Sequence, residues 1–333
     1  MKAYKLKFNS SFHIDAGNVV GGGSETFIRS DTLFSALVSA ARKFYGNEGA
    51  EKFIEPKAVL LSSAFPFYED EMFFPKPLNF FPADLDEYDM IKAFKKAKFI
   101  STEHLKKILS GENIENQFFH KDYILNGCWR VNKSVKTEED TDKIYEGKEI
   151  PHIVMDRLTN QTQIFYKTEI YFNKEAGLFF LAEVKNELVH EFETVLRFLG
   201  DEGIGADRSI GKGFFEIEEI KDFSLKIDAV SEYYYLLSLY SPTKDEFERI
   251  EPRKSYYDFV IRGGWISNNS LNRKSLRMFV EGSVLKFTDN QKPVGCLQKV
   301  LEKKDYEKDL IYDIYRSGQA LFLPVSGGID GNN

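Results

Sequence analysis

The sequence lacks the features that mark secreted, zinc-binding and membrane-embedded proteins. Only two residues are cysteine, Cys128 and Cys296, and they form no CxxC or zinc-ligand spacing. No apolar run reaches the length that spans a bilayer, and the start, MKAYKLKF, is too charged and too regularly alternating for a signal peptide. We therefore expect a cytoplasmic protein with no membrane segment, whose thiols stay reduced.

An excess of positive charge is also missing. The chain has 45 basic and 52 acidic residues, a net charge of −7, so its average field repels RNA and DNA. A nucleic acid could bind only at local basic patches. Three of the histidines, His104, His120 and His190, have no metal-ligand spacing and are predicted to lie at the surface or at sheet edges. We predict no metal and no cofactor.

Aromatic side chains, in contrast, are abundant: the chain has 30 Phe and 17 Tyr, which favour β-containing cores and stacking surfaces. Apolar residues at helical spacing predict two amphipathic helices, at 29–46 and 186–200. Alternating runs predict strands at 3–8 and 214–220 and hairpins at 58–75 and 163–184. If one hairpin is accessory, this order is a βαββαβ ferredoxin-like unit.

The fold class predicted from this order is α+β, with two ferredoxin-like (RRM-like) domains. The first covers residues 1–225 and carries a long insertion at about 76–162, with some helix around 89–110 and no core of its own. The second covers residues 226–333 and is a degenerate version of the same unit, because its alternating runs continue the β character.

The most unusual stretch is a glycine-rich loop at residues 203–213, which opens the segment GIGADRSIGKGFFEIE. It is not a P-loop, because Ala206 occupies a required glycine and Gly213 replaces the magnesium-binding hydroxyl. It is not a dinucleotide fingerprint, because Arg208 replaces the third glycine and the loop follows a helix. A nest of exposed backbone N–H groups beside Arg208, Ser209 and Lys212 would suit a polyphosphate chain such as RNA. The alternative is a mobile surface loop.

A second basic and aromatic segment, IRGGWISNNSLNRK, covers residues 261–274. Arg262, Trp265, Arg273 and Lys274 offer both stacking and phosphate neutralisation, as single-stranded RNA requires. The alternative is a hairpin turn with Trp265 in the core.

Four segments occur in an order that resembles one known family. They are IRSDTLFSAL (28–37), HIVMDRLTN (152–160), AGLFFLAEV (176–184) and GIGADRSIGKGFFEIE (203–218), and the tail YRSGQALFLPV (315–325) follows them. The chain resembles the RAMP superfamily of CRISPR RNA-binding proteins, within it the family of the fourth subunit of the type III-A (Csm) effector complex. The resemblance spans nearly the whole chain and is weakest at 76–150.

The resemblance implies a non-catalytic subunit that holds the 5′ handle of the CRISPR RNA (crRNA). Such a subunit lies between the large polymerase-like subunit and the first RAMP backbone subunit of a ribonucleoprotein. It also implies that Arg29 and Ser30, at the positive end of the first helix, can receive a phosphate. The remaining residues that it marks as RNA-binding are His152 and Arg157, of a motif that includes Asp156, and the loop residues Gly203, Gly205, Arg208, Ser209, Gly211, Lys212 and Gly213.

Other readings of these residues stay open. His152 and Asp156 are four apart and would form an acid–base pair on a helix, although Asp156 and Arg157 suit a loop fixed by hydrogen bonds. His13 and Asp15 follow the first strand, so a metal-independent endoribonuclease that processes precursor RNA is the rival function. A third reading is a free-standing RNA-binding protein outside CRISPR.

Overall fold

A sheet of nine described strands forms the centre of the N-terminal two thirds of the protein. The computed structural model describes residues 1–15, 23–80, 88–133, 143–225, 227, 230–266, 271–306 and 311–326. The helices are α1 (Ser30–Ile54), α2 (Tyr88–Lys96), α3 (Thr102–Ser110), α4 (Val189–Glu202) and α5 (Lys244–Arg249). None of the described helices combines the length and apolar character needed to cross a membrane. The strands are β1 (Lys2–Phe8), β2 (Val59–Leu61), β3 (Phe65–Tyr68), β4 (Glu71–Pro75), β5 (Phe99–Ser101), β6 (Ile124–Leu125), β7 (Cys128–Trp129), β8 (Tyr145–Met155), β9 (Thr162–Phe172), β10 (Ala176–Val184), β11 (Phe215–Ile220), β12 (Tyr233–Leu236), β13 (Phe259–Arg262), β14 (Leu276–Phe279), β15 (Val284–Lys286), β16 (Leu297–Leu301), β17 (Ile314–Ser317) and β18 (Phe322–Pro324).

The predicted α+β class is confirmed, and so is the connectivity of a ferredoxin-like unit. Strands β11, β1, β10 and β3 are neighbours in that order, each pair is antiparallel, and β2 also pairs with β10. Helices α1 and α4 supply apolar residues to one core cluster together with β1 and β10. The strand order with its two connecting helices is that of the βαββαβ unit.

Strand β10 is the central strand, and it is buried on both faces. Leu178 and Phe180 belong to the core that α1 and α4 cover, whereas Phe179 and Leu181 belong to the core on the opposite face. This double burial explains the unbroken apolar run of its sequence, AGLFFLAEV, which is typical of a strand covered on both sides.

The predicted hairpin between 163–172 and 178–184 is wrong. Strand β9 pairs along its whole length with β8, from Tyr145 opposite Phe172 to Met155 opposite Thr162. Strand β10 pairs instead with β1 and β3. Both of its faces are apolar, and both are buried only when the strand lies between other strands of the covered sheet. The β8–β9 hairpin forms a separate two-stranded arm, and its β8 half lies in sequence that we had assigned to the insertion.

Residues 88–133 extend the sheet rather than stand apart from it. Strands β5, β7 and β6 continue the sheet beyond β4, and the Trp129 side chain packs in the same core cluster as Phe179. The predicted helix around 89–110 is two helices, α2 and α3, with β5 between them. Helix α1 also runs further than predicted: Gly46 kinks it with a φ of 76°, but helical structure resumes up to Ile54.

The C-terminal segment forms a three-stranded sheet of β15, β12 and β18 and two ribbons, β13–β14 and β16–β17. Its one α-helix within the described residues is the six-residue α5. Residues such as Tyr235 and Leu323 pack in the same cluster as the far face of β10, so the two segments share a core. A second ferredoxin-like unit, and the division at residue 225, stay predictions.

A buried carboxylate joins the C-terminal segment to the first helix. Asp31 is 2% exposed and accepts hydrogen bonds from Arg262 (Nε–Oδ2 2.9 Å) and Arg316 (Nη1–Oδ2 2.5 Å). Burial by itself raises the pKa of Asp31, but the two guanidinium charges outweigh it and hold the pKa below its ordinary value. The carboxylate of Asp31 is thus committed to these arginines, and α1 begins without a side-chain cap.

We expect Asp31→Asn to lower the free energy of unfolding by about 3 kcal/mol, because it leaves two buried guanidinium groups without their carboxylate. Urea denaturation measures the loss. Asp201→Asn on the exposed surface of α4 is the matched control and should change stability by less than about 0.5 kcal/mol. Equal, small losses in the two variants would show that Asp31 does not hold the segments together.

Candidate nucleic-acid interface

The glycines of the loop at 203–213 are needed mainly for close contact with the protein itself. A Cβ on Gly213 would lie 2.0 Å from the Ile204 carbonyl oxygen, and one on Gly205 would lie 2.5 Å from that of His13. Both glycines also have positive φ, as does Gly203, whose Cβ would lie 2.8 Å from the Lys212 oxygen. Gly211 differs, because its Cβ would meet nothing within 4 Å although its φ is 88°.

The predicted nest of exposed N–H groups is largely absent, because the loop satisfies its own backbone. The N–H of Ala206 donates to His13, and that of Gly213 donates to Ser11 (2.8 Å). Those of Ile204, Ile210, Gly211 and Lys212 also bond to carbonyl oxygens of the chain. Most backbone N–H groups of this loop are therefore already bonded within the chain and are not available to an anion.

The predicted phosphate ligand Lys212 already has an anionic partner. Its Nζ donates to Glu169 Oε2 (2.9 Å) and to Ser11 Oγ (3.0 Å), and Tyr171 also donates to Glu169. Burial raises the pKa of Glu169, but hydrogen bonds from Ser11, Lys212 and Tyr171 outweigh it and lower the pKa to about 2. Lys212 is thus a partly neutralised cation that ties the loop to β9.

A second ion pair fixes the other side of the loop. Lys167 of β9 lies 2.9 Å from Asp207 Oδ2, and Asp207 adopts a left-handed conformation with φ of 60°. This arrangement leaves the half-buried Arg208 and the exposed Ser209 at the outer turn. The Arg208 side chain has no hydrogen bond or ion pair within the described residues, so it is the loop's uncommitted cation.

The motif around His152 lies on the β8–β9 arm, not on a helix. His152 pairs across the arm with Phe165, and their rings stack with centroids 5.3 Å apart. Asp156 Oδ1 accepts from the N–H groups of Leu158 and Thr159 and so fixes the turn of the arm, which confirms the loop alternative. An acid–base pair of His152 and Asp156 on one helix face is excluded, and Arg157 is exposed beside the turn.

The arm also carries apolar side chains that sequence reasoning missed. Leu158 is 95% exposed, an extreme value for a residue of its kind. The sequence did contain a signal for them. In β8 the consecutive residues Ile153, Val154 and Met155 are apolar, so neither face of this part of the strand is polar. The other exposed apolar residues of the arm are Ile153, Val154, Met155, Ile164, Phe165 and Tyr166.

Arg29 and Ser30 are both committed to contacts within the protein, Arg29 half-buried and Ser30 buried. Arg29 is held by Glu25 (3.1 Å) and Glu281 (2.8 Å), and Ser30 is 2% exposed. The Ser30 hydroxyl accepts from the Leu239 N–H, and its own N–H donates to Ser63. The geometry therefore assigns both residues to packing of the C-terminal segment against α1.

The segment 261–274 divides between structure and surface. Arg262 is committed to Asp31, but Trp265 is 64% exposed, so the alternative that places it in the core is wrong. Arg273 donates to the carbonyl oxygens of Gly264 and Trp265 (Nη2–O 2.8 Å for the latter), and it forms no direct ion pair with a carboxylate of the described residues. Lys274 is exposed, and residues 267–270 lie outside the described part of the chain.

His13 is a poor catalytic base in this setting. It is 7% exposed, and its Nδ1 bonds to the Thr168 carbonyl oxygen at 2.8 Å. Asp15 forms an isolated bridge with Ser24. No three His, Cys, Asp or Glu side chains within the described residues are grouped so as to hold a metal ion.

Among the other histidines, our surface prediction is wrong for His104. Its ring stacks on Trp129 at 4.2 Å between centroids, and burial lowers its pKa to about 4. His120 and His190 are exposed, as predicted.

The Glu169 cluster makes stability depend on pH in a defined direction. Because the folded-state pKa of about 2 lies below the ordinary value, Glu169 stabilises the protein fully above about pH 4.5 and progressively less towards pH 2. We expect the stability difference between wild type and Glu169→Gln to be constant near neutral pH and to shrink on acidification. Urea denaturation at several pH values measures it, with the exposed Glu149→Gln as control. A difference that does not vary with pH would contradict the assignment.

We expect alanine to be tolerated very differently at two glycines of the loop. Gly213→Ala should cost about 3 kcal/mol or more, because backbone must move away from the new Cβ. Gly211→Ala should cost about 1 kcal/mol, the strain of a positive φ alone. Chemical denaturation compares them, and equal losses would show that the loop does not pack as described.

Two family descriptions match the chain. The RAMP superfamily matches residues 5–216, which include the ferredoxin-like unit and the glycine loop. The CRISPR Csm4 C-terminal domain matches residues 229–325. Together they cover both segments of the fold.

Two curated relatives carry the same name, CRISPR system Cms protein Csm4. The one from Thermococcus onnurineus is 30% identical and the match covers 78% of this chain and 81% of the relative. The one from Methanocaldococcus jannaschii is 29% identical, with 98% of this chain and 97% of the relative covered.

Solved structures have the same fold. A chain in the crystal structure of the Csm3–Csm4 subcomplex of the type III-A CRISPR-Cas interference complex matches with a TM-score of 0.67, 24% identity and coverage of 97% of this chain and 99% of that chain. A chain in the Csm1–Csm4 cassette with pppApA matches with a TM-score of 0.61, 22% identity and 97% coverage of both chains. The family match over residues 5–216 and the 30% identity to a curated relative show that this chain belongs to the RAMP superfamily and, within it, to the Csm4 family of CRISPR proteins.

Proposed function

We propose that this protein is a non-catalytic structural subunit of a type III-A CRISPR ribonucleoprotein in the cytoplasm that binds the 5′ handle of crRNA. It bridges the large polymerase-like subunit and a RAMP backbone subunit. The observation that carries the proposal is family membership along both segments of the chain. In the solved structures of similar fold, Csm4 is named together with Csm3 in one and with Csm1 in others.

In this proposal, the handle RNA binds to basic side chains that have no ion pair within the described part of the protein. Arg208 at the loop, Arg273 beside Trp265 and the exposed Lys274 form no direct ion pair with a carboxylate of the described residues. The loop glycines shape the turn that presents Arg208 and Ser209, and Lys212 contributes less because Glu169 shares its charge. Arg29, Ser30 and Arg262 hold the two segments together instead of binding RNA.

The β8–β9 arm is the second contact region. It carries Arg157 and His152 away from the sheet, and its exposed apolar side chains need cover in an assembly. A net charge of −7 gives the lone chain little attraction for RNA, so the assembled complex is the form that binds the handle. The proposal includes the division into RAMP-like units at 1–225, with the insertion at 76–162, and at 226–333.

The endoribonuclease alternative has less support in the geometry. A general base must reach the proton that it removes, whereas the His13 ring is buried against the Thr168 carbonyl. Metal-independent cleavage of repeat RNA by the purified chain, lost in His13→Ala, would favour that alternative.

We expect Arg208→Gln to lower the magnitude of the slope of log affinity against log salt by about 0.7, the value for one lost phosphate contact to a single strand. The measurement is handle-RNA binding by the assembled complex across a salt series. Lys212→Gln should change the slope less, because Glu169 already neutralises part of that charge. Arg253→Gln, an exposed cation far along the chain in the C-terminal segment, is the control. An unchanged slope in Arg208→Gln would contradict the role of the loop.

A further inference from the structure

The β13–β14 ribbon of the C-terminal segment presents apolar side chains to solvent. Its register places Phe259 opposite Phe279 and Ile261 opposite Arg277, and opposed residues of an antiparallel pair share one face. On this outer face, Phe259 is 40% exposed and Ile261 is 65% exposed. Tyr257, just before the strand, is 37% exposed and packs its ring against Phe259 with centroids 5.3 Å apart. Apart from Arg277, the exposed outer face is therefore apolar where a solvated face is ordinarily polar.

The inner face of the same strand carries the charge instead. Val260 lies opposite the fully buried Met278, and Arg262 reaches Asp31 in the interior. The amphipathic pattern of β13 is thus inverted: its one charged residue points inward, whereas the aromatic and aliphatic residues that alternate with it point outward. The ion pair of Arg262 with Asp31 fixes this register, because a shift of one residue would exchange the two faces. Apolar side chains held outward in this way are typical of an interaction surface.

Strand β13 also has an open edge. The Val280 N–H donates to the Asp258 carbonyl, so the even-numbered residues of β13 direct their backbone groups towards β14 and the odd-numbered ones direct theirs away from it. The Phe259 N–H is bonded to the Asp258 side chain (2.7 Å). The Ile261 N–H and the carbonyl oxygens of Phe259 and Ile261 have no partner strand among the described residues. An edge of this kind accepts an added strand.

One cation stands beside the apolar face. Arg277 is exposed and forms no ion pair with a described residue, and its guanidinium carbon lies 5.7 Å from the centroid of the Phe259 ring. A guanidinium next to apolar side chains pairs well with a carboxylate that arrives with apolar neighbours of its own, because the contact excludes water from both charges. Charge complementarity at this face therefore favours an acidic partner.

We propose that the outer face and the open edge of β13 bind an extended, acidic strand of a partner protein. The added strand pairs with the Ile261 backbone, covers Phe259 and Ile261 with apolar side chains and places a carboxylate against Arg277. A protein strand fits this surface better than RNA does, because Ile261 offers no ring on which a base can stack. The inference rests on the part of the proposed function that places this chain in a protein assembly, and it does not involve the basic side chains assigned to the handle.

Hydrogen–deuterium exchange examines the edge directly. The isolated chain is compared with the complex assembled from coexpressed subunits, both without RNA. We expect the Ile261 amide to exchange at least about tenfold more slowly in the complex, because the added strand accepts a hydrogen bond from it. Strand β12, which is paired on both sides inside the three-stranded sheet, is the internal control.

A substitution on the outer face measures what the apolar contact contributes. Ile261→Lys should weaken binding to the partner subunit that protects β13 on the order of tenfold, since a charge replaces an interface anchor. Val230→Lys, at a residue that is 88% exposed in the connection before β12, is the matched control and should bind as wild type does. Equal urea midpoints of the two variants exclude a folding defect as the cause.

A zero-length crosslink tests the predicted carboxylate. Arg277→Lys places a primary amine at this face, and a carbodiimide joins an amine to a neighbouring carboxylate as an amide with loss of one water. We expect mass spectrometry to find a crosslink from position 277 to an Asp or Glu in an extended segment of the partner, and none in the wild-type complex. A protected edge without this crosslink would overturn the acidic character assigned to the partner.

The outcomes distinguish this inference from the proposed function. If the chain assembles with its partner subunits but the Ile261 amide exchanges as in the isolated chain and Ile261→Lys binds as wild type does, the docking inference alone is overturned. Protection that appears only with RNA, or that rises with the concentration of the isolated chain, assigns the surface to RNA or to a second copy and also overturns it. If the chain assembles with neither subunit, the proposed function is overturned and the docking inference falls with it.

Discussion

The buried carboxylate of Asp31 is the interaction on which the arrangement of the two segments depends. Asp31 stands in the first turn of α1, and its guanidinium partners come from β13 and β17, more than 200 residues later in the chain. A carboxylate with this little exposure is stable only as a paired ion, so the C-terminal strands must dock where the arginines reach it. The contact of Arg29 with Glu281 reinforces the same junction.

The glycine loop shows how a binding surface is built on packing constraints. Three of its glycines allow backbone to lie against backbone, and two ion pairs to β9 fix its sides. The resulting turn leaves Arg208 half-buried and without an ion pair in the described residues, whereas most of the N–H groups predicted as phosphate ligands are bonded within the chain. A loop fixed in this way loses little conformational freedom when a ligand binds.

Three arginines that lie far apart in the chain form no ion pair in the described residues, although the protein is acidic overall. Many other Lys and Arg side chains pair with a carboxylate, as Lys43 does with Glu202 and Arg130 with Glu71. The three arginines are Arg42, Arg208 and Arg273, and all three line one groove between α1, the glycine loop and the C-terminal segment. Whether a cation is paired depends on which carboxylates lie near it in the folded protein. A count of charges along the sequence does not reveal this.

Much of the fold could be predicted from local pattern. The periodicity of α1 and α4, the alternation of β1 and β11 and the unbroken apolar run of β10 each depend on residues close in the chain, and each was confirmed. Pairing was harder: β9 was assigned to β10 because they are adjacent, although β10 belongs at the sheet centre and β9 pairs with β8.

By itself, the sequence determined the family, the α+β class and the position of the glycine loop, because the composition of short motifs, their order and their periodicity can be read directly along the chain. The tertiary structure alone decided which charges are free. Arg262 and Arg208 are equally basic in sequence, but Asp31 holds the first and nothing described holds the second. Ion pairing depends on distances between residues that are far apart in the chain, and those distances exist only after the chain has folded.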